Sequence, residues 1–254
     1  MPAFSATNDR TANVAHYHIP AHISFAVTTD AVIFMDLRDD CYRLLAGPQA
    51  HLFRTLSHQT TRSTGALRGF DFDESQQTTP ECSTLIATLI AGNILVAGPE
   101  PPPRPVLTLP APLQELTEGT NLGPTHVHTR DIWRFWRACV RSSWILRHRP
   151  IERTIRAVEH RRERHGLGGR MDMYALRHHV ALFRSSWHLY PRDFLCLFDS
   201  LALLEFLALY GFFPNWVFAV SLTPWSAHCW VQHEDVVLNE CAEAAARYIT
   251  VLIV

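Results

Sequence analysis

Apolar residues in the first third of the chain come in short runs. His22 to Thr28, Ala31 to Leu37 and Cys41 to Ala46 are β-like, and Thr-Asp and Arg-Asp-Asp turns separate them. Three strands in succession predict a small antiparallel meander. After Gly47 and Pro48 the period becomes helical: QAHLFRTLS puts Leu52, Phe53 and Leu56 on one inner face, and ECSTLIATLIAGNILVAG predicts a second helix that includes Leu85 to Ile94. The Pro- and Gly-rich stretch that follows, GPEPPPRPVLTLPAPLQELTEGTNLGP, reads as an extended linker. Residues 1–100 are therefore expected to form a first domain, 101–129 the linker and 130–254 a second domain.

The second domain opens on a helical segment with Trp133, Trp136 and Val140 at i, i+3 and i+7, the spacing of a core-facing stripe. Arginines would then form the solvated face. From Arg130 to Arg164 there are eleven arginines and four acids, a local charge of +7 that would also suit nucleic acid, an acidic membrane or a partner protein. The core-facing spacing of the tryptophans favours the solvated-face reading, so no nucleic-acid partner is expected. Further on, CLFDSLALLEFLALYG is apolar and helical, and the stretch from Phe194 to Phe213 is long enough for a membrane span. It contains Asp199 and Glu205 and ends in Gly-Phe-Phe-Pro, so a buried helix is expected and no membrane insertion.

Composition narrows the class without naming a chemistry. The chain has 254 residues, 47% of them hydrophobic, enough for a real core. Its net charge of −1 points to no global polyelectrolyte partner. Every basic residue is arginine, a bias of composition more than of mechanism. Six cysteines, Cys41, Cys82, Cys139, Cys196, Cys229 and Cys241, show no CxxC pair, and no signal peptide is read before them, so a reducing cytoplasm is expected. His126 and His128 form a His-x-His pair without a second cluster, for which a turn or strand is the default, and no metal is expected.

The candidate chemistry lies in the last sixty residues. Cys196 opens the apolar helix, and His228 and Glu240 follow in AHCWVQHEDVVLNE. A cysteine at a helix start, a later histidine and a still later carboxylate are the parts of a thiol nucleophile with its base and orienter. In the first helical turn the unpaired N–H groups and the dipole favour a thiolate, the Cys196 N–H is a candidate oxyanion donor, and Asp193 is a candidate cap. In the strand-like segment His228 and Trp230 face one way and Val231 the other. Asp235 is the fallback orienter.

The stretch PRDFLCLFDSLALLEFLALYGFFPNWVFAVSLTPWSAHCWVQHEDVVLNE resembles the C-terminal half of the B proteins of lasso peptide biosynthesis. That family shows a cysteine before a Ser-Leu-Ala-Leu helix, a histidine before Trp-Val, and Leu-Asn-Asp. Glu240 departs from the pattern at the acid, keeping the carboxylate and adding a methylene. The resemblance implies an α+β chain: a winged-helix-like leader-recognition element with a three-stranded antiparallel sheet, then a papain/transglutaminase-like cysteine protease domain. It implies capture of the leader as an added strand along the third β-strand, here Cys41, Tyr42, Arg43, Leu44 and Leu45, against a helix carrying Leu85 and Leu89. It further implies a precursor peptide as substrate, an ATP-dependent asparagine-synthetase-like macrolactam synthetase as partner, and no cofactor. Two other functions stay open: an acyl transferase in which an amine intercepts the thioester, and a non-catalytic leader-binding chaperone whose triad has decayed at Glu240.

Overall fold

The computed structural model describes residues 17–56, 79–98, 107–116, 127–165, 172–191, 193 and 195–254. Much of the expected linker, as well as His126, lies outside them. Strand β1 (Tyr17–His18) pairs with β5 (Val96–Ala97). Strands β2 (Ile23–Val27), β3 (Ala31–Asp36) and β4 (Cys41–Ala46) form the antiparallel meander in the order β2-β3-β4, so β4 is an edge. Gly47, at φ +59°, turns the chain from β4 into α1 (Pro48–Leu56), and α2 (Pro80–Ala91) follows, N-capped by Thr79.

Every residue of β2 and β3 is buried, because the sheet is covered on both faces. Phe25, Val32, Phe34 and Leu45 pack against Phe53, Leu85 and Leu89 of the two helices. Ala26, Ile33 and Met35 point the other way, into a core shared with Leu201, Phe218 and Leu252 of the C-terminal half. The two halves are thus joined through a common apolar layer.

The C-terminal half contains α3 (Thr129–His148), α4 (Ile151–His165), α5 (Met173–Ser185) and α6 (Cys196–Ala208), and Pro150 separates the first two. A five-stranded sheet follows, built from β6 (Gln114–Glu115), β7 (Asn215–Leu222), β8 (Trp225–His233), β9 (Val236–Val237) and β10 (Ile249–Ile253), with α7 (Ala242–Ala245) before the last strand. Its order is β10-β7-β8-β9-β6, and only the β6–β9 pairing is parallel. The chain is α+β, as expected.

Helix α6 is buried from Phe198 to Leu207, as an all-round apolar helix must be. It packs between α3 and α5 on one side and β8 on the other. Its two acids lie inside. Glu205 receives Arg141 Nε at 2.7 Å and Arg161 at 2.9 Å, so the carboxylate ties α3 and α4 to the central helix. Among the described residues no helix is long and apolar enough to cross a membrane.

Two expectations change. Trp133 and Val140 are 62% and 53% exposed, and the buried stripe of α3 is instead Phe135, Ala138, Cys139, Ser142 and Ile145. This second stripe has the same helical period, and its small residues let α3 approach α6 closely, which tryptophans could not. The described part of the linker is not free chain either. β6 joins the sheet beside β9, Gln232 Nε2 donates to the Pro110 carbonyl at 3.0 Å, and the Ala242 N–H donates to Glu115 at 3.1 Å.

Candidate active site

Cys196 is the first residue of α6, and Leu195 is its N-cap, in extended conformation and without a side-chain cap. Asp193 does not cap the helix as expected; its carbonyl accepts the Leu195 N–H at 3.2 Å. No side chain caps this start, so the Cys196 N–H is available to an oxyanion beside the sulfur.

His228 comes from β8. His228 Nε2 meets Glu240 Oε2 at 2.5 Å, which leaves Nδ1 for the thiol. The other carboxylate oxygen of Glu240 accepts the Cys241 N–H at 2.8 Å, so both oxygens are fixed. The extra methylene of Glu therefore does not misplace the acid. Asp235 stands in the turn between β8 and β9, with Gln114 on its side chain at 3.4 Å, and not beside His228. The imidazole lies 5.2 Å from the Tyr248 ring and 6.1 Å from Trp230, the aromatic surround that strand alternation implied.

Hydrogen bonds with the side chains of Cys229 and His228 outweigh burial and push the Cys196 thiol from 9.0 down to about 4. His228 is raised, chiefly by its bond to Cys196 and then by Glu240, against burial. Both shifts favour the charged forms, a thiolate at Cys196 and an imidazolium at His228. Cys229 is pushed far up by its bond to Cys196 and by burial, so it stays a thiol donor. Sequence reasoning missed this second sulfur, although it sits next to the histidine.

Behind the sulfur lies a buried polar cluster that the sequence gave little sign of. Asn239 Nδ2 donates to Asp199 at 2.6 Å and to Ser200 at 3.1 Å, while its Oδ1 accepts the Val231 N–H at 2.7 Å. Ser200 donates to the Cys229 carbonyl at 3.2 Å. These bonds lock α6, which opens on Cys196, to β8, which carries His228. The only available signal was Asn239 itself, inside Leu-Asn-Glu. Burial raises Asp199 to about 6 despite its bond to Asn239.

Residues 133–253 match the transglutaminase-like superfamily. No match is found among curated proteins or solved structures. The superfamily includes cysteine proteases and acyltransferases, and its members are typically cysteine-dependent enzymes. The matched segment runs from α3 to β10 and holds Cys196, His228 and Glu240, while β1 to β6 lie before it.

The residues expected to hold a leader peptide lie outside this transglutaminase-like segment and are spread over three environments. Cys41, Arg43 and Leu44 lie on the β4 edge strand, where Leu44 is 49% exposed and Arg43 donates to the Gly92 carbonyl at the end of α2. Leu45, Leu85 and Leu89 are buried in the N-terminal core, and Leu85 also lines a groove between α1 and α2. Tyr42 points to the Cys196 side. It lines a cavity of about 130 Å³ that also contains Cys196, His228 and Cys229, and it meets Trp225 edge-on at 5.9 Å. Burial, with the Cys229 and Cys196 sulfurs nearby, keeps its phenol protonated.

Proposed function

We propose that this protein is a cysteine endopeptidase that removes the leader from a ribosomally made lasso peptide precursor, before a partner synthetase closes the macrolactam. The observation that carries the reading is the Cys196 pocket, with Cys196, His228 and Glu240 in sequence and an edge strand of a separate small sheet at its rim. The Cys196 thiolate attacks the scissile carbonyl, the first-turn N–H groups receive the oxyanion, and His228 protonates the departing amine. Water then hydrolyses the thioester with His228 as base.

The direction of β4 supports the leader's role. Its Cys41–Tyr42 end borders the catalytic cavity and its Ala46 end lies at the α1 side. A strand added antiparallel to β4 therefore runs toward Cys196 and delivers its C-terminal continuation there, whereas a parallel one runs away. Docking the leader makes encounter with the scissile bond intramolecular, so a weakly selective centre acts on one peptide. The Glu240–His228 bond removes the motive for reading the triad as decayed. The released core would pass to an ATP-dependent asparagine-synthetase-like enzyme, and the arginine-rich α3–α4 face with its exposed Trp133 and Trp144 is the proposed contact with it. Charge reversal on that face should weaken pull-down of the synthetase.

The test is mass spectrometry of the precursor encoded beside this gene, incubated with wild type and Cys196→Ala, with and without the synthetase. A single cut at the leader/core junction by wild type only supports the peptidase. A product joined to an added primary amine would instead identify an acyl transferase, and binding without turnover by either protein would leave only a recognition role.

A further inference from the structure

The cavity beside Cys196 is not made by the transglutaminase-like domain alone. Leu197, Phe218 and His228 come from that domain, whereas Met35, Tyr42 and Asp40 come from β3, β4 and the turn between them. Met35 and Tyr42 are direct cross-strand partners, so their side chains stand together on the sheet face turned to the sulfur. Tyr42 is braced by Trp225, at 5.9 Å and 75°, from the start of β8. Met35 is 4% exposed and belongs to the core common to both halves. The wall is therefore anchored from behind and from the side.

We propose that Tyr42, backed by Met35, sets substrate selectivity at the Cys196 pocket, restricting the side chain held beside the attacked carbonyl to a small branched aliphatic one. The inference rests on Cys196 being the acyl-forming nucleophile, and not on the leader-peptidase reading in particular. Size carries the argument. A closed apolar cavity of about 150 Å³ takes one benzene ring; the cleft here offers about 130 Å³, opens to solvent on one side, and must also admit the reacting carbonyl, so the Tyr42 wall limits what is held beside that carbonyl. A valine or leucine side chain fits what remains and an aromatic one meets the Tyr42 ring. Apart from Asp40, the Tyr42 hydroxyl and the reacting groups the lining is apolar, so an anionic side chain would lose water without gaining a partner, and a cationic one has only Asp40 to turn to. On this view the small N-terminal sheet contributes to the choice of substrate at the reacting centre.

The test uses p-nitrophenyl esters of N-acetyl-valine, N-acetyl-leucine and N-acetyl-phenylalanine with the full chain. The thiolate attacks the ester carbonyl, p-nitrophenolate leaves, and water later regenerates the thiol; rates with Cys196→Ala are subtracted. Wild type is expected to acylate faster with the valyl and leucyl esters than with the phenylalanyl ester. In Tyr42→Ala the phenylalanyl-to-leucyl ratio of kcat/KM should rise by about tenfold or more, the scale of discrimination in an apolar pocket. Tyr42→Phe, which keeps the ring, should retain the wild-type ranking. A wild type that prefers the phenylalanyl ester overturns the proposal whether or not Tyr42→Ala folds. So does an unchanged ratio in Tyr42→Ala with Cys196-dependent release intact, and in both cases the nucleophile assignment survives. No Cys196-dependent release in wild type overturns the nucleophile assignment and this wall with it.

Discussion

Alkylation of Cys196 by iodoacetamide should titrate far below an ordinary thiol. The structure places the sulfur against the Cys229 thiol and the His228 imidazole, which lower it from 9.0 to about 4. At pH 6 a thiol at the ordinary value is only about 0.1% thiolate, and one at about 4 is about 99%. That gain of roughly a thousandfold in thiolate does not become a gain of the same size in rate. With a Brønsted slope of about 0.4–0.5 the thiolate itself loses roughly 100- to 300-fold in nucleophilicity, so the net advantage at pH 6 is about three- to tenfold. The midpoint is therefore the decisive readout. Cys241 is exposed and Cys41 half-buried, so the label must be located by peptide mapping, with free cysteine in the same tube as reference. Cys196 modification should stay near its plateau from pH 7 to about pH 5 and fall only as pH drops through the region of 4. Cys229→Ala and His228→Ala should each move that midpoint upward, because each removes a donor to the sulfur. A wild-type midpoint at or above about pH 8 would refute the ion pair and the hydrogen bonds invoked for it.

Glu240→Ala should leave Cys196 open to alkylation but slow acyl transfer by about a hundredfold or more, because the imidazole loses its orienting partner; ester turnover checks this, with Asp235→Ala as the comparison. Phe135→Ala should cost about 3–5 kcal/mol in urea unfolding and Trp133→Ala under about 1 kcal/mol, since the first is fully buried and the second 62% exposed. Asp199 is held up at about 6 from 3.8, so its folded form binds the proton more tightly than the unfolded chain and its ionisation weakens the fold as pH rises through this range. Asp199→Asn should therefore gain on wild type between about pH 3 and pH 7, by about 3 kcal/mol in all and by about 1.4 kcal/mol from pH 5 upward, read as the difference in unfolding midpoint; a difference that shrinks as pH rises would contradict the assignment.

What the chain disclosed in advance divides by physical cause. The meander was legible because turn residues bracket three apolar runs, and α6 because an apolar stretch of that length without Gly or Pro has few other destinations. The cysteine, histidine and glutamate were legible as residue types in order, and their meeting depended on three elements that only the fold brings together. The outward face of α3 was misread because two apolar stripes share one helical period, and side-chain bulk drew attention to the wrong one. Contact with α6 required the smaller stripe, Ala138, Cys139 and Ser142. The Asn239–Asp199–Ser200 cluster was hidden because hydrogen bonds between residues some forty positions apart leave no periodic trace. The docking of the described linker residues depends on a two-residue strand and on side-chain bonds from Gln232 and Glu115, neither of which a Pro-rich composition announces.

Strand β4 shows why the site belongs to both halves of the chain. A strand has two faces and two edges, and here three of the four are committed. One face, through Leu45, packs on the α1–α2 core; the other, through Tyr42, closes the Cys196 cavity; one edge pairs with β3. Among the described residues, only the second edge remains unpaired. A peptide strand added there continues both faces, so its alternate side chains would fall on the α2 side and on the side of Trp225 and the catalytic cavity. The first set reports on the N-terminal helices and the second on the transglutaminase-like domain. Leader recognition and cleavage would thus be coupled by the two-residue period of one strand. A one-residue slip in its register would exchange the two sets and present the wrong side chains to both surfaces.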